Sequence, residues 1–268
     1  MRSEKTTSSR KGDHSSRGVQ SVSRTITLLR EVAHLNDKGA RLSVLSKSSG
    51  LNLSTTHRLL SVLTAEGLIT HDTKSKRYHL GLELYRLGIN AYQYAVRDLF
   101  RGSLEKIERE TGDAVFLLIR SGNDALCIDR VEGSYPIKTI LVDVGSRRPL
   151  GIGAGSLALI AFLPEEECEA IISSNAPRYG HYKNITAPSI RSLAAEARER
   201  GYTISRGLFH EGVISLGIPV INGNGEVLAG ITVSAIARRM DSRRREEIFQ
   251  LVCRIVKEDG LTSLSFKR

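Results

Sequence analysis

The sequence predicts an α+β chain in two parts: a winged helix-turn-helix over residues 18–81 and, from residue 98, a domain in which helices cover a largely antiparallel sheet. Three observations lead there. The stretch Leu42–Leu63, LSVLSKSSGLNLSTTHRLLSVL, holds two amphipathic runs broken at Gly50, a residue that takes left-handed backbone angles cheaply and permits a tight turn between helices. The charge is lopsided, with 14 Lys+Arg against 6 Asp+Glu in residues 1–81 and 25 against 23 in the remaining 187. Beyond Glu110, short apolar runs alternate with turn sequences such as SGND and NGNG, which reads as hairpins flanked by helices rather than a doubly wound nucleotide fold.

Residues 1–17 are rich in Ser, Lys and Arg and nearly devoid of apolar side chains, so they cannot bury enough surface to offset the entropy of ordering, and a disordered arm is expected. Such an arm either adds loose phosphate contacts or merely solubilises. Val22, Ile26, Leu29 and Ala33 then step at helical spacing and mark a first helix from about Gln20 to Asn36. In the second helix of the central pair, Thr56, Leu59, Leu60 and Leu63 share a core-facing side, while Asn52 is placed to N-cap it and leaves Ser54, Thr55, His57 and Arg58 outward. The segment LITHDTKSKRYHLG follows, with strands at Leu68–His71 and Arg77–Leu80 around a turn carrying Lys74, Lys76 and Arg77. This is a basic β-wing. Short hydroxyls at a helix start allow close approach to phosphates and base edges, Arg58 can fork onto a guanine or pair with a phosphate, and wing cations touch flanking backbone.

After Gly81, a stripe of Leu84, Leu87, Ala91 and Tyr94 lacks a partner in its own small domain. It reads as a linker helix over residues 82–97 that dimerises, or as an ordinary domain-closing helix. The second domain, residues 98–268, opens with a helix from about Arg97 to Glu110, then the strands AVFLLIR and ALCIDRV and a strand-like run at Ile137–Val142. Helices are expected at Ser156–Phe162, near Glu165–Ile172 and at Ser189–Arg200; strands at Val213–Val220 and Val227–Ser234; and a closing helix at Ser242–Lys257.

Composition excludes several classes. Cys127, Cys168 and Cys253 are odd in number and widely spaced, so they form neither a disulfide framework nor a metal cluster. The first residues lack the apolar stretch of a signal peptide, no run is apolar enough to span a bilayer, and no amphipathic helix with bulky anchors accompanies the basic charge, so a cytoplasmic protein that does not bind membranes is expected. A basic footprint of this kind suits a nucleic acid, with steeply salt-dependent binding.

Two stretches of the second domain could hold chemistry. In RRPLGIGAGSLALIAFL, Gly151, Gly153 and Gly155 precede an apolar helix. Backbone N–H groups near Ala154, Gly155 and Ser156 either meet an anion at the helix N-terminus or simply allow close helix–sheet packing. Its GxGxG spacing lacks the later glycine of a dinucleotide site. In FHEGVISLGIPV and GITVSAI, the polar Glu211, Ser215, Thr232 and Ser234 interrupt apolar strands, and alternation aims them at a common cavity or at solvent. A hydrolytic enzyme with a nucleic-acid module is the competing reading; against it, no Ser or Cys sits in a recognisable set with a His and an acid.

Taken in order, these segments resemble the IclR family of bacterial transcription regulators from Val19 to about Val256. The matching pieces are VQSVSRTITLLREV, LSVLSKSSGLNLSTTHRLLSVLTAEGLI, RYHLGLELYRLG, the Pro149-Leu150 turn with its helix, and RERGYTISRGLFHEGVISLGIPVINGNGEVLAGITVS. The resemblance implies a winged-helix reader of double-stranded operator DNA, a GAF-like effector domain and a homodimer or dimer of dimers. It implies a small, often carboxylate-bearing effector, such as an organic or aromatic acid, and no catalysis, cofactor or metal. Carried over position by position, the effector contacts are Leu150, Gly153, Ala154, Gly155, Ser156, Ser215, Thr232 and Ser234. The chain departs from the family where many members read Gly-Lys and it has Ser156-Leu157, and where many read His-Ala-Thr and it has Gly151-Ile152-Gly153.

Overall fold

The computed structural model describes residues 13–90, 96–137, 142–182, 184–208, 210–260 and 262–263. The chain divides into two compact units, Met1–Gln93 and Tyr94–Arg268.

The first unit runs α1 (Asp13–His34), β1 (Ala40–Arg41), α2 (Leu42–Ser49), α3 (Leu53–Ala65), β2 (Ile69–Asp72), β3 (Arg77–Leu80) and α4 (Leu82–Asn90). Leu28 and Val32 of α1, Leu45 of α2 and Leu60 and Leu63 of α3 close on Ile69 and Tyr78 to form its core. Gly50 ends α2 with φ 68°, the left-handed angle that the tight turn requires. Asn52 Oδ1 then accepts from the Thr55 N–H at 2.8 Å and starts α3 as expected. α1 begins at Asp13 rather than Gln20, because extending a nucleated helix costs far less than starting one. Residues 13–17 of the expected arm are therefore helical, and residues 1–12 lie outside the described residues. The short β1 joins the wing to give a three-stranded sheet of order β1-β3-β2.

The second unit runs α5 (Val96–Thr111), β4 (Ala114–Ser121), β5 (Asp124–Val131), β6 (Arg147–Pro149), α6 (Ala154–Ala161), α7 (Glu165–Tyr179), α8 (Ala187–Arg200), β7 (Thr203–Arg206), β8 (Val213–Ile221), β9 (Val227–Ile236), α9 (Ser242–Glu258) and β10 (Thr262–Ser263). The strands pair antiparallel in the order β10-β8-β9-β4-β5-β6, with β7 also on β8. The expected strand at Ile137–Val142 falls largely on residues 138–141, outside the described residues, and neither Ile137 nor Val142 is in a strand. Alternation along β4 divides the interior: Val115, Leu117 and Ile119 face α5 and α9, while Phe116 and Leu118 face the side of α6, α7 and α8. Two buried carboxylates tie the first face together, Asp113 held by Arg239 and Arg244 at 3.1 and 2.8 Å, and Asp129 by Arg101 and Arg97 at 3.0 and 3.4 Å.

All eight residues of α6, AGSLALIA, are buried, as a helix apolar on every side must be. Its first turn lies against the sheet at backbone contact. A Cβ on Gly217 of β8 would stand 2.3 Å from the Ala154 carbonyl oxygen, one on Gly230 of β9 2.6 Å from that of Gly155, and one on Gly155 itself 2.0 Å from Thr232 Oγ1. Thr203 Oγ1 of β7 donates to the Ala154 oxygen at 2.6 Å. At the other end, the Arg198 guanidinium donates to the Ala161 carbonyl at 2.6 Å, where a cation also complements the helix dipole. Because backbone faces Gly217, Gly217→Ala is expected to lower stability by about 1–3 kcal/mol through overpacking. Gly223→Ala, in a turn with open space around it, should leave the thermal midpoint unchanged.

Candidate functional site

The glycine-rich turn and α6 form one wall of a cleft of about 480 Å³, including its open mouth, on the α6 side of the sheet. The turn is held rigidly. Ser156 Oγ accepts from the Gly151 N–H at 3.0 Å and donates to the Pro149 carbonyl at 3.3 Å. The Tyr179 hydroxyl donates to the Leu150 carbonyl at 2.7 Å, its pKa pushed up to about 12 by burial, so it stays a donor at neutral pH. Gly153, with φ 89°, is the N-cap of α6, and no side chain caps the helix there. The first N–H groups of a helix have no intrahelical acceptor, and here Ala154, Gly155 and Ser156 line the cleft.

The floor is a row of hydroxyls set by strand register. Ser205 pairs with Ser215 across β7 and β8, and Ser215 with Ser234 across β8 and β9, so all three share one face with Thr232, two residues from Ser234. Ser215 and Ser234 share a hydrogen bond of 2.7 Å between their hydroxyls. Thr232 Oγ1 is buried without a hydrogen-bond partner, a costly state for a polar atom unless a ligand supplies one. Phe116, Leu118, Val142 and Ile152 give the cleft an apolar wall, and Arg148 lines it opposite Ala125.

Of the residues expected at an effector site, Gly153, Ala154, Gly155, Ser156, Ser215, Thr232 and Ser234 all line this cleft. Leu150 does not. Its side chain is fully buried in the core below, so it supports the turn and makes no part of the lining. Glu211 is exposed and borders a separate, more open depression that shares Gly153 and Ser205 with the cleft. The sequence alone did not single out Arg148 and Ser205, whose strands are too short to show a periodicity, or Ser146, which lies just before β6. Cys127 is no nucleophile, because burial pushes its thiol up to about 11. Among the described residues no group of three or more His, Cys, Asp or Glu could hold a metal ion, and no helix is long and apolar enough to cross a membrane.

In the first unit, Ser54, His57 and Arg58 are exposed on α3 and Thr55 is half-buried, while Thr56, Leu59, Leu60 and Leu63 face the core. The Ser54 hydroxyl donates to Asn52 Oδ1 at 2.9 Å, so its oxygen is the free acceptor at the helix start. Lys74 and Lys76 are exposed in the wing turn. Arg77 Nη1 donates to the Gly39 and Lys38 carbonyls at 2.7 and 3.1 Å, so it ties β3 to the chain entering β1.

Residues 21–73 match the IclR helix-turn-helix domain and residues 91–258 the IclR C-terminal domain of bacterial transcriptional regulators. The chain belongs to the IclR family. Its members are DNA-binding transcription regulators, not enzymes, whose DNA binding responds to small-molecule effectors, and this chain is one of them. It is 30% identical over 257 residues to the transcriptional repressor AllR of Salmonella paratyphi A, covering 94% of this chain and 92% of the relative. It is 29% identical over 225 residues to the regulator KipR of Bacillus subtilis, covering 81% and 89%. An IclR homologue of Microbacterium hydrocarbonoxydans, solved in complex with 4-hydroxybenzoate, superposes with a TM-score of 0.70 at 20% identity over 88% of this chain and 98% of that one. For this IclR-family chain, Thr232→Val removes a hydroxyl that has no partner within the protein. The unliganded variant should therefore be as stable as the wild type or up to about 1 kcal/mol more stable, as read by thermal denaturation.

Proposed function

We propose that the chain is an operator-binding homodimer, or a pair of such dimers, whose DNA affinity is set by a small organic or aromatic acid held in the α6 cleft. On this reading residues 18–81 are the DNA reader, α4 belongs to a linker over residues 82–97, and residues 98–268 are a GAF-like effector domain. The observation that carries the DNA half is α3: a helix capped by Asn52, its core side occupied, with Ser54, His57 and Arg58 outward at its start. That end enters a major groove, with Lys74 and Lys76 on flanking phosphates. Support for the dimer comes from apolar surface left open on α1, at Val19, Val22 and Ile26, and on α4, at Leu82, Tyr85 and Leu87. Ala91 and Tyr94 of the linker stripe lie outside the described residues. The effector half is supported by the uncapped helix start, the unpartnered Thr232 and the bound 4-hydroxybenzoate of the Microbacterium homologue.

Arg58→Ala is expected to weaken binding to the operator by about 1–3 kcal/mol while changing binding to random DNA little, and Lys74→Ala to weaken both and lower the salt slope by about one. Gel retardation across a salt series distinguishes these outcomes. Failure of the wild type to prefer its own upstream region over random DNA contradicts the reading. Leu87→Asp should lower operator affinity and shift the protein towards smaller assemblies in sedimentation.

A further inference from the structure

Strand β6 borders the cleft. This strand is three residues long, and its alternation sends two successive arginines to opposite faces of the sheet. Arg147 faces out, where it donates to Ser121 Oγ at 2.9 Å and stands 3.8 Å from Asp124 Oδ2. Arg148, beside Ala125 of β5, turns inward, is half-buried and lines the cleft. Among the described residues that line the cleft, Arg148 carries the one charged side chain. The start of α6, which also lines the cleft, adds partial positive charge. Burial weighs against the charge of Arg148 and holds its pKa below the usual arginine value.

We infer that Arg148 reads the charge of the effector: its guanidinium pairs with the carboxylate of a monoanionic ligand whose apolar body lies along Phe116 and Ile152 and whose polar substituents meet Thr232, Ser215 and Ser234. A planar guanidinium matches a carboxylate with two parallel N–H donors, and a neutral amide of the same shape accepts less strongly and presents its own N–H groups to those donors. Arg148 is thus a specificity-determining residue, and the Gly153–Ser156 backbone contributes attraction without deciding between acid and amide. The inference rests on the cleft being the effector site.

The test uses the full chain and three matched probe pairs in titration calorimetry: benzoate and benzamide, 4-hydroxybenzoate and 4-hydroxybenzamide, pyruvate and pyruvamide. For the wild type, at least one acid should bind about tenfold or more tightly than its amide. Arg148→Met should erase that preference, and Arg148→Lys should keep part of it. Arg147→Met, which removes the same charge from the outer face, should preserve it in full. Each comparison is between two ligands on one variant, so a loosened fold, which weakens both, does not imitate the result. Ser205→Phe fills the cleft from its floor and should abolish binding of acid and amide alike. The Arg148 inference alone is overturned if Ser205→Phe blocks the acid while Arg148→Met retains the preference, or if Arg147→Met loses it equally. The effector-site reading falls with it if the acid binds Ser205→Phe as it binds the wild type, and binding of none of the acids to the wild type overturns the inference as well.

Discussion

The contact between the first turn of α6 and the sheet governs the second unit. At Gly155, Gly217 and Gly230 the helix and strands β8 and β9 meet backbone to backbone, and any Cβ would intrude to within 2.0–2.6 Å of a neighbouring atom. Because the helix sits so low, its circumference is apolar except for Ser156, which accounts for AGSLALIA, and its first three residues line the cleft. Gly155 thus serves twice, allowing the close packing and lying in the first turn of α6, whose N–H groups have no intrahelical acceptor. Ser156 and Tyr179 spend their hydrogen bonds on holding the turn, and Thr232, directly beneath, is left with none. On the proposed reading, this buried hydroxyl is the one left for a ligand.

The DNA-binding unit shows a similar division between groups that hold and groups that remain outward. Asn52 and Arg77 are spent on backbone partners, at the start of α3 and the base of the wing. That leaves Arg58, His57 and the wing lysines as outward groups on a surface whose positive charge is concentrated in the first 81 residues. On the proposed reading, specificity and general attraction to phosphate fall to different side chains, so substitutions in α3 and in the wing are expected to differ in their dependence on DNA sequence.

Much of this was legible in the sequence. Strong periodicity placed α3, α5 and α9 and the strands β4, β5, β8 and β9 to within about two residues, since each buries a face whose spacing is written in Leu, Ile and Val. The cleft was legible through its glycines and its hydroxyls, which stand out against apolar neighbours. β1, β6, β7 and β10 were not, because two to four residues carry no readable period and exist as strands only through a partner. Arg148 was hidden for that reason: without the register Ala125–Arg148 nothing separates it from Arg147. Leu150, expected at the effector site, is fully buried beside the turn, and its carbonyl accepts from Tyr179.

The most direct measurement is amide hydrogen exchange across the full chain, with and without a carboxylate that the wild type binds. A ligand seated at the α6 start must slow exchange first at residues 151–157 and along β8 and β9, with the effect reduced in Thr232→Val. Unchanged exchange in residues 151–157 together with protection elsewhere in the second unit would contradict the account.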